Sequence, residues 1–113
     1  MADYNEIAQN TDYRGIAQRL EEIYNSDNEM PRHQLIHDAL GNSIIETRKF
    51  YDKVWEPFLQ DHNIGDADFP YDVMRGAINR PESRGLFCNI KRGLWCTKEY
   101  ADRNGIVDCR NNQ

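Results

Sequence analysis

Arg75 and Asn79 stand four residues apart, a spacing that puts both on one polar face if the segment is helical. Their chemistry suits base edges: a guanidinium can grip guanine with two parallel donors, and a carboxamide can both donate to and accept from adenine. Arg80, Arg84, Lys91 and Arg92 follow in the next stretch of chain. Cations of this kind neutralise phosphates and fix register without reading sequence. Gly76, between the two candidate readers, would let a helix backbone lie close to a phosphate or a groove wall.

Other constellations carry less. His33 and His37 lie one helical turn apart with Asp38 beside them, but position 34 is Gln, so the acid of an HExxH motif is missing and the pair reads as surface histidines. Cys88 and Cys96 are equidistant from Arg92, which sets them opposite one another in a symmetric hairpin, with Cys109 able to approach from the tail. Without a CxxC pair they read as buried thiols on the hairpin's inner face, not as a zinc site. Phe87 and Trp95 offer either a stacking platform for a flipped or modified base or a cover for the core beneath a hairpin. Asp61, Asp66 and Asp68, with Glu56 upstream, lack the alternation and glycine of a calcium loop and read as a solvated acidic loop. There is no nucleophile elbow, phosphate-cradling glycine loop or Ser/His/Asp order, so the sequence predicts no catalysis, no metal and no cofactor.

The elements that must position these residues follow from periodicity and punctuation. Tyr13, Ile16, Ala17, Leu20, Ile23 and Tyr24 recur at helical steps and predict a helix over 12–24, capped by Thr11 or Asp12. Pro31 opens a second, over 31–40, which Gly41 stops. Ser43 with Glu46 reads as a capping box for a third helix, which Pro57 should kink or end near position 56. An exposed acidic loop over 60–68 leads to a fourth helix, Pro70 to Arg80, closed by Pro81. Segments 86–90 and 94–97 then predict a two-stranded hairpin around Lys91-Arg92-Gly93, and the tail is polar, with residues 110–113 expected to fray. The expected fold class is mainly α with a small β-hairpin: a winged helix-turn-helix with an additional helix. Its domain spans 11–103, between an N-terminal extension (1–10) and a partly flexible tail (104–113).

The chain of 113 residues has a net charge of −5, but the charge is unevenly spread. Residues 1–74 hold six Lys/Arg against fifteen Asp/Glu, whereas residues 75–113 hold eight against four. The acidic total argues against indiscriminate polyanion binding, and the basic final third against indifference to polyanions. Apolar runs such as Leu86-Phe87-Cys88 fall far short of the ~20 residues of a bilayer span, and the first ten residues are polar and acidic. With three cysteines at no framework spacing, the expectation is a cytoplasmic protein without a membrane partner.

The stretch Pro81-Glu82-Ser83-Arg84-Gly85-Leu86-Phe87-Cys88-Asn89-Ile90-Lys91-Arg92-Gly93-Leu94-Trp95 resembles the closing hairpin of small winged-helix domains associated with bacterial restriction and modification proteins, and of the related HARE-type helix-turn-helix domains. That resemblance implies duplex DNA binding, in some members with sensing of modified bases. Segment 43–68 is longer than those domains need and leaves open which helix meets DNA: 70–80, with Arg75 and Asn79, or the helix after Gly41, with Thr47, Arg48 and Tyr51. A different class of reading is also open. The winged helix would then be only a scaffold, and the acidic residues Glu21, Glu22, Asp61, Asp66 and Asp68 would face a protein partner, as in phage-type inhibitors of host nucleic-acid enzymes. Phe50, Trp55 and Phe58 are the candidate seam of a homodimer.

Overall fold

Asp12 ends the first turn of chain and begins the principal helix. Its Oδ1 accepts the backbone N–H of Gly15 at 3.0 Å, satisfying one of the donors that a helix start leaves open. The computed structural model describes residues 3–65, 68–80 and 85–111. Its helices are α1 (Tyr4–Gln9), α2 (Tyr13–Ser26), α3 (Arg32–Leu40), α4 (Thr47–Phe50), α5 (Glu56–Asp61), α6 (Pro70–Asn79) and α7 (Lys98–Asn104), with a π-helical turn at Tyr51–Trp55 and a 3-10 turn at Cys109–Asn111. Three strands, β1 (Ile45–Glu46), β2 (Phe87–Lys91) and β3 (Leu94–Thr97), form an antiparallel sheet in the order β1-β3-β2. The fold is mainly helical with a small sheet. Among the described residues no helix is long and apolar enough to cross a membrane.

The apolar stripe of α2 behaves as its spacing predicts, with Ile16 and Leu20 fully buried. Each contributes roughly 1.5–3 kcal/mol relative to exposure. Arg19, from the same helix, reaches over the end of α3 and donates to the carbonyls of Ala39 (2.9 Å) and Leu40 (3.3 Å). Those carbonyls lack partners within their own helix, so one side chain both caps α3 and ties it to α2. Gly41 then turns the chain with φ 56°.

Two local expectations, the start of the third helix and the dimer seam, are corrected, and two, at Pro57 and in the N-terminal extension, are refined. Ile45–Glu46 is a strand, not the start of the third helix: Ile45 pairs with Trp95 and Glu46 with Leu94, and Thr47 N–H donates to Gly93 O at 3.0 Å. The hairpin's open edge supplies partners for this backbone, so the Ser43/Glu46 capping box does not form and the expected two-stranded hairpin gains a third strand. Pro57 does not end the following helix. Glu56 N–H reaches back five residues to Tyr51 O, and the wider turn precedes a proline whose ring would collide with the carbonyl four residues earlier in a regular α-helix. The extension contains α1, whose Ala8 is buried. Phe50, Trp55 and Phe58, 0 %, 2 % and 3 % exposed, belong to the core and cannot form the expected dimer seam.

The sheet divides two apolar clusters. Ile45, Phe87 and Trp95 face the main core built by α2, α3, the π turn, α5 and α6. Cys88, Leu94 and Cys96 face the other way, against Ala8 of α1 and Ala101 of α7. Cys88 and Cys96 do stand opposite each other, but on the face turned away from the main core. Burial pushes the Cys96 thiol up to about 12, which suits packing and not ligation. Among the described residues, no three His, Cys, Asp or Glu side chains gather as a metal site requires.

Candidate functional site

Helix α6 leans against the main core through Met74, Ala77 and Ile78 and leaves Arg75, Asn79 and Arg80 exposed. The hairpin turn Arg92-Gly93 stands across from it, with Gly93 at φ 84°, where a side chain would be strained. Asn89 holds that turn in shape: its Nδ2 donates to Lys91 O at 2.8 Å and to Leu94 O at 2.9 Å. The register slips between Asn89 and Lys91, which lets one buried carboxamide span both carbonyls.

Between these elements lies a groove of about 440 Å³. It is lined by Thr47, by Tyr71, Arg75, Ile78 and Asn79 of α6, by Asn89, Arg92, Gly93 and Trp95 of the hairpin, and by Arg110. Among the described residues three arginines and no carboxylate line it, in a chain whose acids outnumber its bases by nineteen to fourteen, and Asp108 pairs with Arg110 from just outside the lining at 2.6 Å. Two of these arginines, Arg75 and Arg110, and the neighbouring Arg48 lie against aromatic rings. Arg48 lies 4.9 Å and Arg75 5.9 Å from the Tyr71 ring centroid, and Arg110 lies 4.9 Å from that of Trp95. A guanidinium held over a ring loses rotational freedom, and its N–H edge can meet a planar anion except where, as in Arg110, Asp108 and Asn79 already occupy it.

Of the residues singled out from sequence, Arg75, Asn79 and Arg92 meet in this groove. Lys91 is exposed at the end of β2, outside the lining. Arg80 follows α6 and folds back over Gly76, its Nε 3.5 Å from where a Cβ would stand, so the open space expected above Gly76 is filled by the chain's own side chain. Arg84 lies outside the described residues, as does Asp66. The competing helix is not a rival site: Thr47 lines the same groove, Tyr71 OH donates to Thr47 Oγ1 at 3.4 Å, and Arg48 stacks on Tyr71. Tyr51, by contrast, is buried and reads nothing.

Arg110 is the residue that composition hid. The expected fray is instead a 3-10 turn in which Arg110 meets both carboxylate oxygens of Asp108 (2.6–3.2 Å) and donates through Nη1 to Asn79 Oδ1 at 2.9 Å. Asp108 also accepts from Asn89 N–H at 3.1 Å, and Cys109 Sγ donates to Asn89 Oδ1 at 3.0 Å. The Arg110 guanidinium, together with these backbone donors, holds the Asp108 carboxyl down at about 2. Phe87 and Trp95 do not form an open stacking platform: Phe87 is 1 % exposed and Trp95 8 %, with Arg110 over its ring.

His37, expected on the surface, is largely enclosed. Its Nδ1 meets Asp38 Oδ1 at 2.8 Å and its Nε2 meets Glu99 Oε1 at 2.7 Å, tying α3 to α7. Among the acidic residues considered for protein binding, Glu21 is engaged by His62 Nε2 at 2.8 Å, while Glu22, Asp61 and Asp68 are exposed. No protein-family model, curated protein or solved structure matches the chain significantly.

Proposed function

We propose that this chain is a winged-helix protein that binds duplex DNA, with α6 as the recognition helix and the Arg92-Gly93 turn as the wing. The observation that carries the reading is the meeting of Arg75 and Arg92, beside Arg110, in one groove whose lining among the described residues holds no carboxylate, in an otherwise acidic molecule. Cations gathered in a cleft raise the local positive potential and suit an anionic ligand.

The architecture supports duplex DNA among anions. The sheet order β1-β3-β2, with a helix leading into the β2-β3 hairpin, is the arrangement in which a helix can enter a major groove while the hairpin turn meets the flanking backbone. Arg75 and Asn79 supply base-edge chemistry, Arg48 and Arg92 supply phosphate contacts held in place by Tyr71 and the hairpin turn, and Arg110, already bonded to Asp108 and Asn79, anchors the tail beside them. The acidic remainder keeps non-specific adhesion low, so binding rests on this face alone.

The test is a fluorescence-anisotropy titration of a labelled duplex across a range of salt. With two phosphate contacts, affinity falls on the order of tenfold over a fourfold rise in salt. Arg48→Ala combined with Arg92→Ala flattens the log–log slope by about 2. An unchanged slope and affinity in that double variant would remove the assignment.

A further inference from the structure

Asn79 ends α6 with its side chain exposed, yet its carboxamide is not free to turn. The Nη1 of Arg110 donates to Asn79 Oδ1 at 2.9 Å. Arginine carries donors only, so the amide atom facing it must be the oxygen, and this contact decides which way round the amide stands. The guanidinium is itself fixed by the paired Asp108 oxygens and by the Trp95 ring. Asp108 in turn accepts the N–H of Asn89, the residue that shapes the hairpin turn. A chain of contacts therefore runs from the hairpin through the C-terminal turn and ends on the oxygen of Asn79.

A free asparagine reads adenine with two bonds: the oxygen accepts from the N6 amino group while the nitrogen donates to N7. In this protein one of that oxygen's two lone pairs is taken by a cationic donor that also fixes the direction of the amide, so an adenine amino group has to share the oxygen with Arg110. The Nδ2 amino group has no such restriction. Guanine offers N7 and O6 as adjacent acceptors, and thymine offers O4, so both suit a side chain that reads chiefly through its donors. We propose that Asn79 reads its base chiefly as a donor, favouring guanine over adenine at its position, and that Arg110 is the positioning residue that sets this preference. The inference rests on the DNA-binding reading and adds to it the identity of one readable base.

Selection of bound sites from a random duplex pool, read by sequencing, tests it with the full chain and two variants. The wild-type protein enriches guanine over adenine at one position by about tenfold, the scale of a single mismatched base pair. Asn79→Ala, at an exposed helix position, keeps the fold and flattens that position alone. Arg110→Ala frees the amide and turns the preference there towards adenine. The inference is overturned if guanine enrichment survives Asn79→Ala, or if the wild type and Arg110→Ala select the same base. Salt-sensitive binding with a flat profile overturns this inference while leaving the DNA reading intact, and failure to bind any duplex overturns both.

Discussion

The guanidinium of Arg110 lies 4.9 Å from the centroid of the Trp95 ring, so a residue three positions from the C-terminus covers an aromatic side chain of the central strand. This contact makes the C-terminal turn part of the groove. Deleting residues 109–113 removes the stacked cation and leaves Asp108 without its strongest partner. The loss is about 1–2 kcal/mol, which lowers the melting temperature by roughly 5 °C. The same deletion exposes Trp95, and its fluorescence shifts to longer wavelength while the deeply buried Trp55 is unaffected. Unchanged emission would show that the tail does not cover Trp95.

Asp108 makes that docking sensitive to acid. Its carboxyl is lowered from the ordinary 3.8 to about 2, first by the Arg110 side-chain hydrogen bonds, which outweigh the opposing effect of burial, and then by the backbone donors of Asn89 and Arg110. A lowered folded-state pKa contributes stability that is complete above the unfolded value and disappears as pH falls through the folded one. Wild type therefore exceeds Asp108→Asn by on the order of 1–2 kcal/mol above about pH 5, and the gap closes between about pH 4 and pH 2. Denaturant melts of both proteins across that range measure it. A gap independent of pH would mean that the carboxylate charge is not what holds the tail.

His37 gives the opposite dependence on the other side of the molecule. Burial works to lower its pKa, but the hydrogen bonds and charges of Asp38 and Glu99 outweigh it and the net shift is upward. Glu99 moves down, chiefly through its bond to His37. The histidine's contribution is thus complete below its unfolded value near 6.5 and fades as pH rises through the higher folded one, while Glu99 requires a pH above its own ordinary 4.5. Because Glu99 is 58 % exposed, solvent limits the pair to about 0.5–1 kcal/mol. Melting temperatures of wild type converge on those of His37→Gln as pH rises from about 6 to 8. Parallel curves would rule out a charged clamp.

The parts of the fold that were legible in the sequence are those fixed by local chemistry. Asp12 caps α2, Gly41 stops α3, Pro70 opens α6, and the Arg92-Gly93 turn closes a hairpin, each within a few residues of expectation. The misreadings involve partners distant in sequence. Ile44-Ile45 is an apolar pair that periodicity cannot assign to helix or strand, and it becomes strand because Trp95, fifty residues on from Ile45, offers an edge. Arg110 looks like a frayed polar end because its partners Asn79 and Trp95 belong to other elements. Arg75, Asn79 and Arg92 were visible as chemistry, but Tyr71 was not, since nothing in the order of residues shows that one ring backs two arginines from different helices.

That ring separates two contributions to binding that are ordinarily confounded. Arg48 and Arg75 supply charge, and Tyr71 supplies only the surface on which both guanidinium groups rest. Counterion release depends on how many phosphates are neutralised, whereas affinity also depends on how much side-chain freedom is lost in doing so. Tyr71→Leu keeps an apolar side chain at a half-buried position and leaves every cation in place. Its expected effect is about a fivefold weaker affinity for duplex, from two cation–π contacts of roughly 0.5 kcal/mol each, at an unchanged salt slope. Arg48→Ala removes a phosphate contact instead, and its slope falls by about 0.9. Paired salt titrations distinguish them. If Tyr71→Leu altered the slope as Arg48→Ala does, the ring would be acting on the number of phosphates engaged, and preorganisation of the arginines would not be its role.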